Sequence, residues 1–322
     1  MSISRWMAVG LAMLALLAGA VYVHARSGLL PLDDAARSRA PGNFVELGDG
    51  RVHYAWHGPA DGSVTVLIHG FSTPSFVWTG LIEPFARANM RVLTYDNFGR
   101  GFSDRPETRY DAALFDRQLM ELLASQGIDQ PVDLVGYSMG GAIGTYFAAH
   151  HPEKVRMLGL IAPAGFPVNM GFVAQLLRLP VLGDWLTAVV GKRTMLSTMA
   201  RPENQGRAIP DIVERYEVQM AYEGYLRSLL STMRHFPMGE MEVEFERVGA
   251  AGIPLLAVWG DRDSIVPPAN AGRVADAVPQ ARFETIAGGT HAITYSEPER
   301  VSAALIRFFA TPRSAPDQGP NP

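Results

Sequence analysis

Ser138 stands in the run Gly136-Tyr137-Ser138-Met139-Gly140-Gly141, between an apolar stretch at 132–135 and a helix-like stretch at 142–151. A serine at a sharp strand-to-helix turn has its hydroxyl pushed out over the end of a sheet, and glycines on both sides leave room where the backbones crowd. A helix that begins just after it also aims free N–H groups at the same spot, where they would stabilise negative charge growing on a bound carbonyl oxygen. A serine hydroxyl is a poor nucleophile at neutral pH, so acyl transfer needs a base within reach and a third group that fixes the base's tautomer. The chain supplies both further on, in the order serine, acid, histidine. Asp263 lies in Gly260-Asp261-Arg262-Asp263 and His291 in Gly288-Gly289-Thr290-His291, each just past a strand-like run. By residue type alone, Asp261 competes with Asp263 for the acid's role.

Composition narrows what else the chain could be. With 322 residues, 48% of them hydrophobic, it can bury the core of one large α/β domain with an insertion. A net charge of -4 and the lack of a long basic run leave nothing that asks for nucleic acid. The chain has no cysteine, which excludes disulfides, thiolate metal sites and lipid-modified cysteine anchors. His53 and His57 sit in strand-like sequence and His150 and His151 close a helix; no histidine has metal-ligand spacing, and no cofactor is called for.

The elements that must position these groups follow from hydrophobic pattern. Gly48-Asp49-Gly50 is a hairpin signal, and continuous apolar runs at 64–68, 91–95, 132–135, 157–161 and 253–259 suit strands covered on both faces. They alternate with helical runs around 81–88 and 114–126, and a last helix is expected at 298–309. That order predicts a mostly parallel, doubly wound α/β sheet, whose ligand site lies at the carboxyl ends of the strands, where His69, Asp96 and Ser138 all fall. Asp96 and Ser103 are read as holders of a loop.

Residues 6–23 carry no charge and are long enough to cross a bilayer as a helix. They read as a retained anchor or a cleaved signal, with small-residue sites near 18–20 and 23–25; the basic residues on both flanks leave the orientation open. The resulting division is 1–25 membrane segment, 26–43 linker, 44–163 first part of the core, 164–250 helical cap, 251–310 second part of the core, and 311–322 a disordered tail with four prolines. Within the cap, Met170, Phe172, Leu176, Leu177, Trp185 and Leu186 recur at helical spacing. They are either the cap's own core or, for Phe172, Leu176 and Trp185, walls of an apolar substrate pocket.

The motifs His69-Gly70-Phe71, Asp96-x-x-Gly99-x-Gly101-x-Ser103, Gly136-x-Ser138-x-Gly140-Gly141, Gly260-x-x-Asp263-x-x-x-Pro267 and Gly288-x-x-His291 together resemble the α/β-hydrolase fold superfamily, over about residues 44–309. The resemblance implies Ser138 as nucleophile, His291 as general base and then acid, and Asp263 as the orienting acid. It also implies the backbone N–H groups of Phe71 and Met139 as the oxyanion hole and His69 as a structural loop histidine. The Gly260 and Pro267 spacing in that pattern favours Asp263 over Asp261.

With the apolar cap and the membrane segment, the chain is similar to membrane-anchored, monoacylglycerol-lipase-like esterases. The expected activity is hydrolysis of carboxylic esters with an apolar acyl chain, the partners being a lipid-like small molecule and the membrane. The alternatives are a carbon–carbon bond hydrolase of ring-cleavage products, a family in which an aromatic residue commonly follows the histidine where this chain has Ala292, and a non-catalytic small-molecule-binding member. Acyl transfer to an alcohol other than water stays open, and the sequence does not set the oligomeric state. Epoxide hydrolases and haloalkane dehalogenases use an aspartate at the elbow, which Ser138 argues against.

Overall fold

The computed structural model describes residues 3–168 and 171–311. Met170 and the tail beyond Thr311 lie outside the described residues. The chain opens with α1 (Ile3–Arg26) and the single turn α2 (Asp34–Arg37). The first half of the core then follows as β1 (Asn43–Leu47), β2 (Gly50–His57), β3 (Ser63–Ile68), α3 (Thr79–Arg87), β4 (Met90–Tyr95), α4 (Ala112–Ser125), β5 (Val132–Tyr137), α5 (Met139–His150) and β6 (Val155–Ile161). Five helices come next: α6 (Gly171–Arg178), α7 (Leu182–Met199), α8 (Ile212–Met220), α9 (Tyr225–His235) and α10 (Glu242–Ala250). The core closes with β7 (Leu255–Gly260), α11 (Asn270–Ala277), β8 (Arg282–Ile286), α12 (Ile293–Ser296) and α13 (Pro298–Phe309).

The eight strands form one sheet in the order β1-β2-β4-β3-β5-β6-β7-β8. Strands β1 and β2 run antiparallel, joined where Leu47 pairs with Gly50 across the expected hairpin, and β2 pairs antiparallel with β4. Every other pairing is parallel. The burial of the strands explains their composition. All six residues of β5 and of β7 are buried, so both are unbroken apolar runs apart from Asp133 on β5, whereas the edge strands β1 and β8 are partly exposed and mix polar with apolar residues.

Helices cover both faces. On one, α4, α5, α10 and α11 bury Phe115, Leu119, Ile143, Phe147, Val248 and Val274; on the other, α3 and α13 bury Leu81, Phe85, Leu305 and Phe308.

Two features refine the expected division. The linker is docked: Leu30 bridges to Tyr222, Asp33 caps α2 by accepting from Ala36 N at 2.9 Å, and Arg37 pairs with Asp104. Its polar, proline-containing sequence follows from surface exposure and irregular backbone. The expected cap at 164–250 includes α10, yet α10 packs on α5 and α11, with Phe245 and Val248 in the core beneath the sheet. The helices that pack with one another away from that layer are α6 to α9, with α1 lying along α7.

Candidate active site

Strand β5 ends at Tyr137, and Ser138 takes φ 55° and ψ -118°, a left-handed conformation costly for any residue with a side chain. The turn is held from three sides. Ser138 N–H donates to Ile161 O at 2.9 Å, and Ser138 O accepts from Gly141 N at 2.9 Å and from Ala164 N at 3.0 Å. The glycines are needed for space. A Cβ on Gly136 would sit 2.3 Å from Gly140 O, and one on Gly140 would sit 2.0 Å from Ile68 O. The strand-to-helix turn therefore fits directly against the end of β3.

The three groups picked from the sequence come together at this turn. Ser138 Oγ lies 3.0 Å from His291 Nε2, and His291 Nδ1 lies 2.7 Å from Asp263 Oδ2. The carboxylate can only accept, so Nδ1 carries the proton and Nε2 faces the serine as acceptor. The other oxygen, Asp263 Oδ1, accepts from Ile265 N and Val266 N, both at 2.8 Å, which fixes the buried carboxylate in the loop after β7. Asp261 points elsewhere: it is exposed and accepts from Gly288 N at 2.7 Å, tying the aspartate loop to the histidine loop. The imidazole is also held from the β5 side. Tyr137 O–H donates to His291 O at 2.9 Å, and the two rings lie 5.2 Å apart.

Two amides face the same end of the sheet. Met139 N–H opens α5, and Phe71 N–H lies in the loop after β3; neither has a protein acceptor among the described residues. The Phe71 carbonyl, in the peptide unit that follows this N–H, is held by Arg100, a fully buried side chain that sequence reading missed. Its Nε donates to Phe71 O at 2.8 Å, Nη1 to Phe98 O at 3.1 Å and Nη2 to Thr232 Oγ1 at 2.9 Å. Burial lowers its pKa to about 10, still protonated at neutral pH. The sequence signal was present, an arginine between Gly99 and Gly101 in the loop after β4, but its target is set only by the fold.

His69 and His53 sit in the same region with opposite charge states. His69 is buried; its Nδ1 donates to Gly70 O at 2.9 Å and its Nε2 accepts from Asn97 N at 2.8 Å, the pattern of a neutral ring. Burial lowers its pKa to about 4. His53 has acceptors at both nitrogens, Asp96 Oδ2 at 2.7 Å and Pro41 O at 2.6 Å, and so is an imidazolium. Burial works against its charge, but the Asp96 carboxylate outweighs this and raises its pKa; burial likewise works against the Asp96 carboxylate, and His53 outweighs it and holds the pKa well below the usual range. Asp96 also accepts from Ser75 N and Phe102 N, and Ser103 Oγ donates to Asp96 O, so both expected loop-holders hold loops.

The candidate pocket residues fare differently. Phe172 is 69% exposed on α6, and the Trp185 indole N–H donates to Ala18 O of α1 at 2.9 Å. Apolar residues at helical spacing can face another helix or a membrane as readily as a substrate. Leu176 is half-buried on α6. Tethers to the loops after β3 and β4 come instead from α8 and α9: Tyr216 bonds to Ser72 Oγ, Tyr225 O–H donates to Ser72 O at 2.7 Å, and Ser228 Oγ donates to Gly99 O at 2.9 Å.

Residues 64–193 match the alpha/beta hydrolase fold family. The chain has the α/β-hydrolase fold. Among its relatives, the Bacillus subtilis protein called uncharacterized carboxylesterase nap is 25% identical over 273 residues, 83% of this chain and 85% of that one. Monoacylglycerol lipase ABHD6 of Bos taurus is 22% identical over 288 residues, 84% of this chain and 82% of that one. The crystal structure of Cfl2 from Burkholderia cenocepacia aligns with this chain at a TM-score of 0.71 and 26% identity, over 83% of this chain and 95% of that one.

Proposed function

We propose that this α/β-hydrolase is a serine hydrolase of carboxylic esters with an apolar acyl chain, held at a membrane by α1. The observation that carries the reading is the unbroken series of hydrogen bonds from Ser138 Oγ through His291 to Asp263 Oδ2 at the ends of three strands. In the first step Ser138 Oγ attacks the ester carbon while its proton passes to His291 Nε2. The oxyanion that forms is stabilised by the N–H groups of Phe71 and Met139, and Asp263 stabilises the imidazolium. Collapse expels the alcohol, which takes the proton from Nε2. A water then attacks the acyl-enzyme with His291 again as base, releasing the acid and restoring Ser138.

The substrate class rests on the surface around α1. This helix has a mean hydropathy of 2.1 over its most apolar window and no buried residue. Its 24 residues span about 36 Å at 1.5 Å per residue, enough for a hydrocarbon core of about 30 Å. Phe172, Val173 and Val181 are exposed on α6 and at the start of α7, the helix on which α1 packs. An ester presented by a bilayer would meet this surface. The names of the carboxylesterase and monoacylglycerol lipase relatives point to the same chemistry.

The test is turnover of a graded series of p-nitrophenyl esters and monoacylglycerols by the full chain, with a ring-cleavage dienoic acid alongside and an added alcohol to reveal acyl transfer. The reading expects ester cleavage with an optimum at longer acyl chains. Cleavage of the dienoic acid alone would reject it.

A further inference from the structure

A cavity of about 560 Å³ opens between β2, the turn at 74–76, α3, the loop around Phe102, and α8. That volume is within the range of small-molecule sites. Ser138, Asp263, His291, Phe71 and Met139 are not among the residues that line it. Trp56, Phe76, Ile82, Phe102 and Val218 make most of its wall apolar.

Polar side chains line it from the strands, at His53, His57, Thr94 and Asp96, and from α8, at Arg215 and Gln219. Gln219 lines the cavity and is only 4% exposed, yet its side-chain oxygen Oε1 is buried with no hydrogen-bond partner among the described residues. Buried polar atoms are nearly always bonded, so an amide oxygen left without a partner beside a cavity is a position where a ligand donor fits. One turn away, Arg215 uses Nε to reach both oxygens of Asp211, at 2.9 Å each, with its guanidinium 5.7 Å from the Phe76 ring. Its terminal nitrogens have no partner among the described residues.

We propose that this cavity is a second, non-catalytic binding site for a neutral single-chain amphiphile with a hydroxylated head, such as a monoacylglycerol or its ether analogue. The charge balance selects a neutral head. Asp211 already offsets Arg215, and the other carboxylate at the cavity, Asp96, is offset by His53. Among the residues that line the cavity an added anion would find no uncompensated cation and would face Asp96, with Asp211 beside Arg215; Arg91, over the Trp56 ring at 4.1 Å, does not line it. A hydroxyl both donates and accepts, so it can serve Gln219 Oε1 and the amide or guanidinium N–H groups together, whereas a carboxylate only accepts and leaves Oε1 unmet. The chain lies along Trp56, Phe76, Ile82, Phe102 and Val218.

The experiment is titration of the full chain, in phosphatidylcholine nanodiscs, with a medium-chain 1-O-alkylglycerol ether brominated at the chain end, read as quenching of Trp56 fluorescence. The ether has no ester bond, so the result is the same whether or not Ser138 acts as proposed above. A saturable component that is lost in Trp56→Phe assigns the signal to this cavity. It should weaken about tenfold in Gln219→Leu, the equivalent of one hydrogen bond. It should also weaken in Val218→Phe, which narrows the cavity at a residue that is 48% exposed and tolerant of change. The brominated fatty acid of the same length should bind more weakly than the ether. No saturable quenching of Trp56, or an affinity unchanged in both Gln219→Leu and Val218→Phe, would overturn the site; equal affinity for the fatty acid would overturn the neutral head.

Discussion

In the proposed reaction the proton of Ser138 Oγ moves to His291 Nε2 because Asp263 keeps the other ring nitrogen protonated. Asp263→Asn tests that role directly. An amide at this position can donate to Nδ1 and leave the proton on Nε2, the tautomer that cannot accept from serine, so kcat should fall by about 10,000-fold with the fold intact. Arg100 makes a subtler test. Arg100→Lys keeps the charge but cannot bond Phe71 O, Phe98 O and Thr232 Oγ1 together, so the loop loses the anchor on the Phe71 carbonyl and, one peptide unit back, the Phe71 N–H is held less firmly. We expect kcat to fall by up to about 100-fold with a smaller change in KM, since a displacement of about 1 Å is felt mainly in the transition state. An equal rise in KM at constant kcat would contradict the role given to Arg100. Ser138 was legible in the sequence because it follows an apolar run and stands between glycines, whereas Asp263 and His291 were picked out by the order serine, acid, histidine and by the motifs around them, since the strand before His291 is a partly exposed edge. Arg100, Tyr137 and His53 were not legible, because their partners lie in segments remote in sequence and the contacts exist only once the sheet has formed.

At the scale of elements, the elbow and the loops behind it carry separate predictions. Gly140→Ala should prevent normal folding of the β5–α5 turn, since its Cβ would meet Ile68 O at 2.0 Å and backbone cannot yield as a side chain can. The expected readout is insoluble protein or a large fall in melting temperature. The His53–Asp96 pair links the residues before β1 to the loops after β3 and β4, and its effect on stability depends on pH. The raised pKa of His53 gives stability that is full below its unfolded value of about 6.5 and is lost as pH rises through the folded value. The lowered pKa of Asp96 gives stability that is present above about 4 and lost as pH falls through its folded value. Wild type should therefore exceed His53→Gln in melting temperature most clearly between about pH 4 and 6.5, with the gap closing toward alkaline pH. A gap that widens from pH 6.5 to 9 would contradict the charged pair. Much of the element order could be read from apolar periodicity, including the hairpin at Gly48-Asp49 and the final helix. The placement of α10 could not, because a helix packed beneath a sheet and a helix packed in an insertion show the same apolar stripe.

At the scale of the whole molecule, the proposed membrane role depends on α1 and on the helices it packs against. The α1–α7 packing and the Trp185 bond to Ala18 make α1 part of one assembly with the inserted helices. With α1 retained, the chain should stay in the membrane fraction after alkaline carbonate extraction; release of a shortened chain would indicate cleavage instead. Replacing both Phe172 and Val173 with Asp should lower turnover of monoacylglycerol presented in vesicles while leaving turnover of a soluble short-chain p-nitrophenyl ester near wild type. Equal loss on both substrates would argue against a membrane-facing role for α6. The central claim, that Ser138 is the nucleophile of an ester hydrolase, is tested most directly by treating the full chain with a fluorophosphonate and mapping the adduct by mass spectrometry, with ester turnover followed in parallel. The account predicts a single adduct on the peptide containing Ser138, loss of turnover in step with labelling, and neither labelling nor turnover in Ser138→Ala. Ester hydrolysis that persists in Ser138→Ala, or an adduct on another residue, would contradict it.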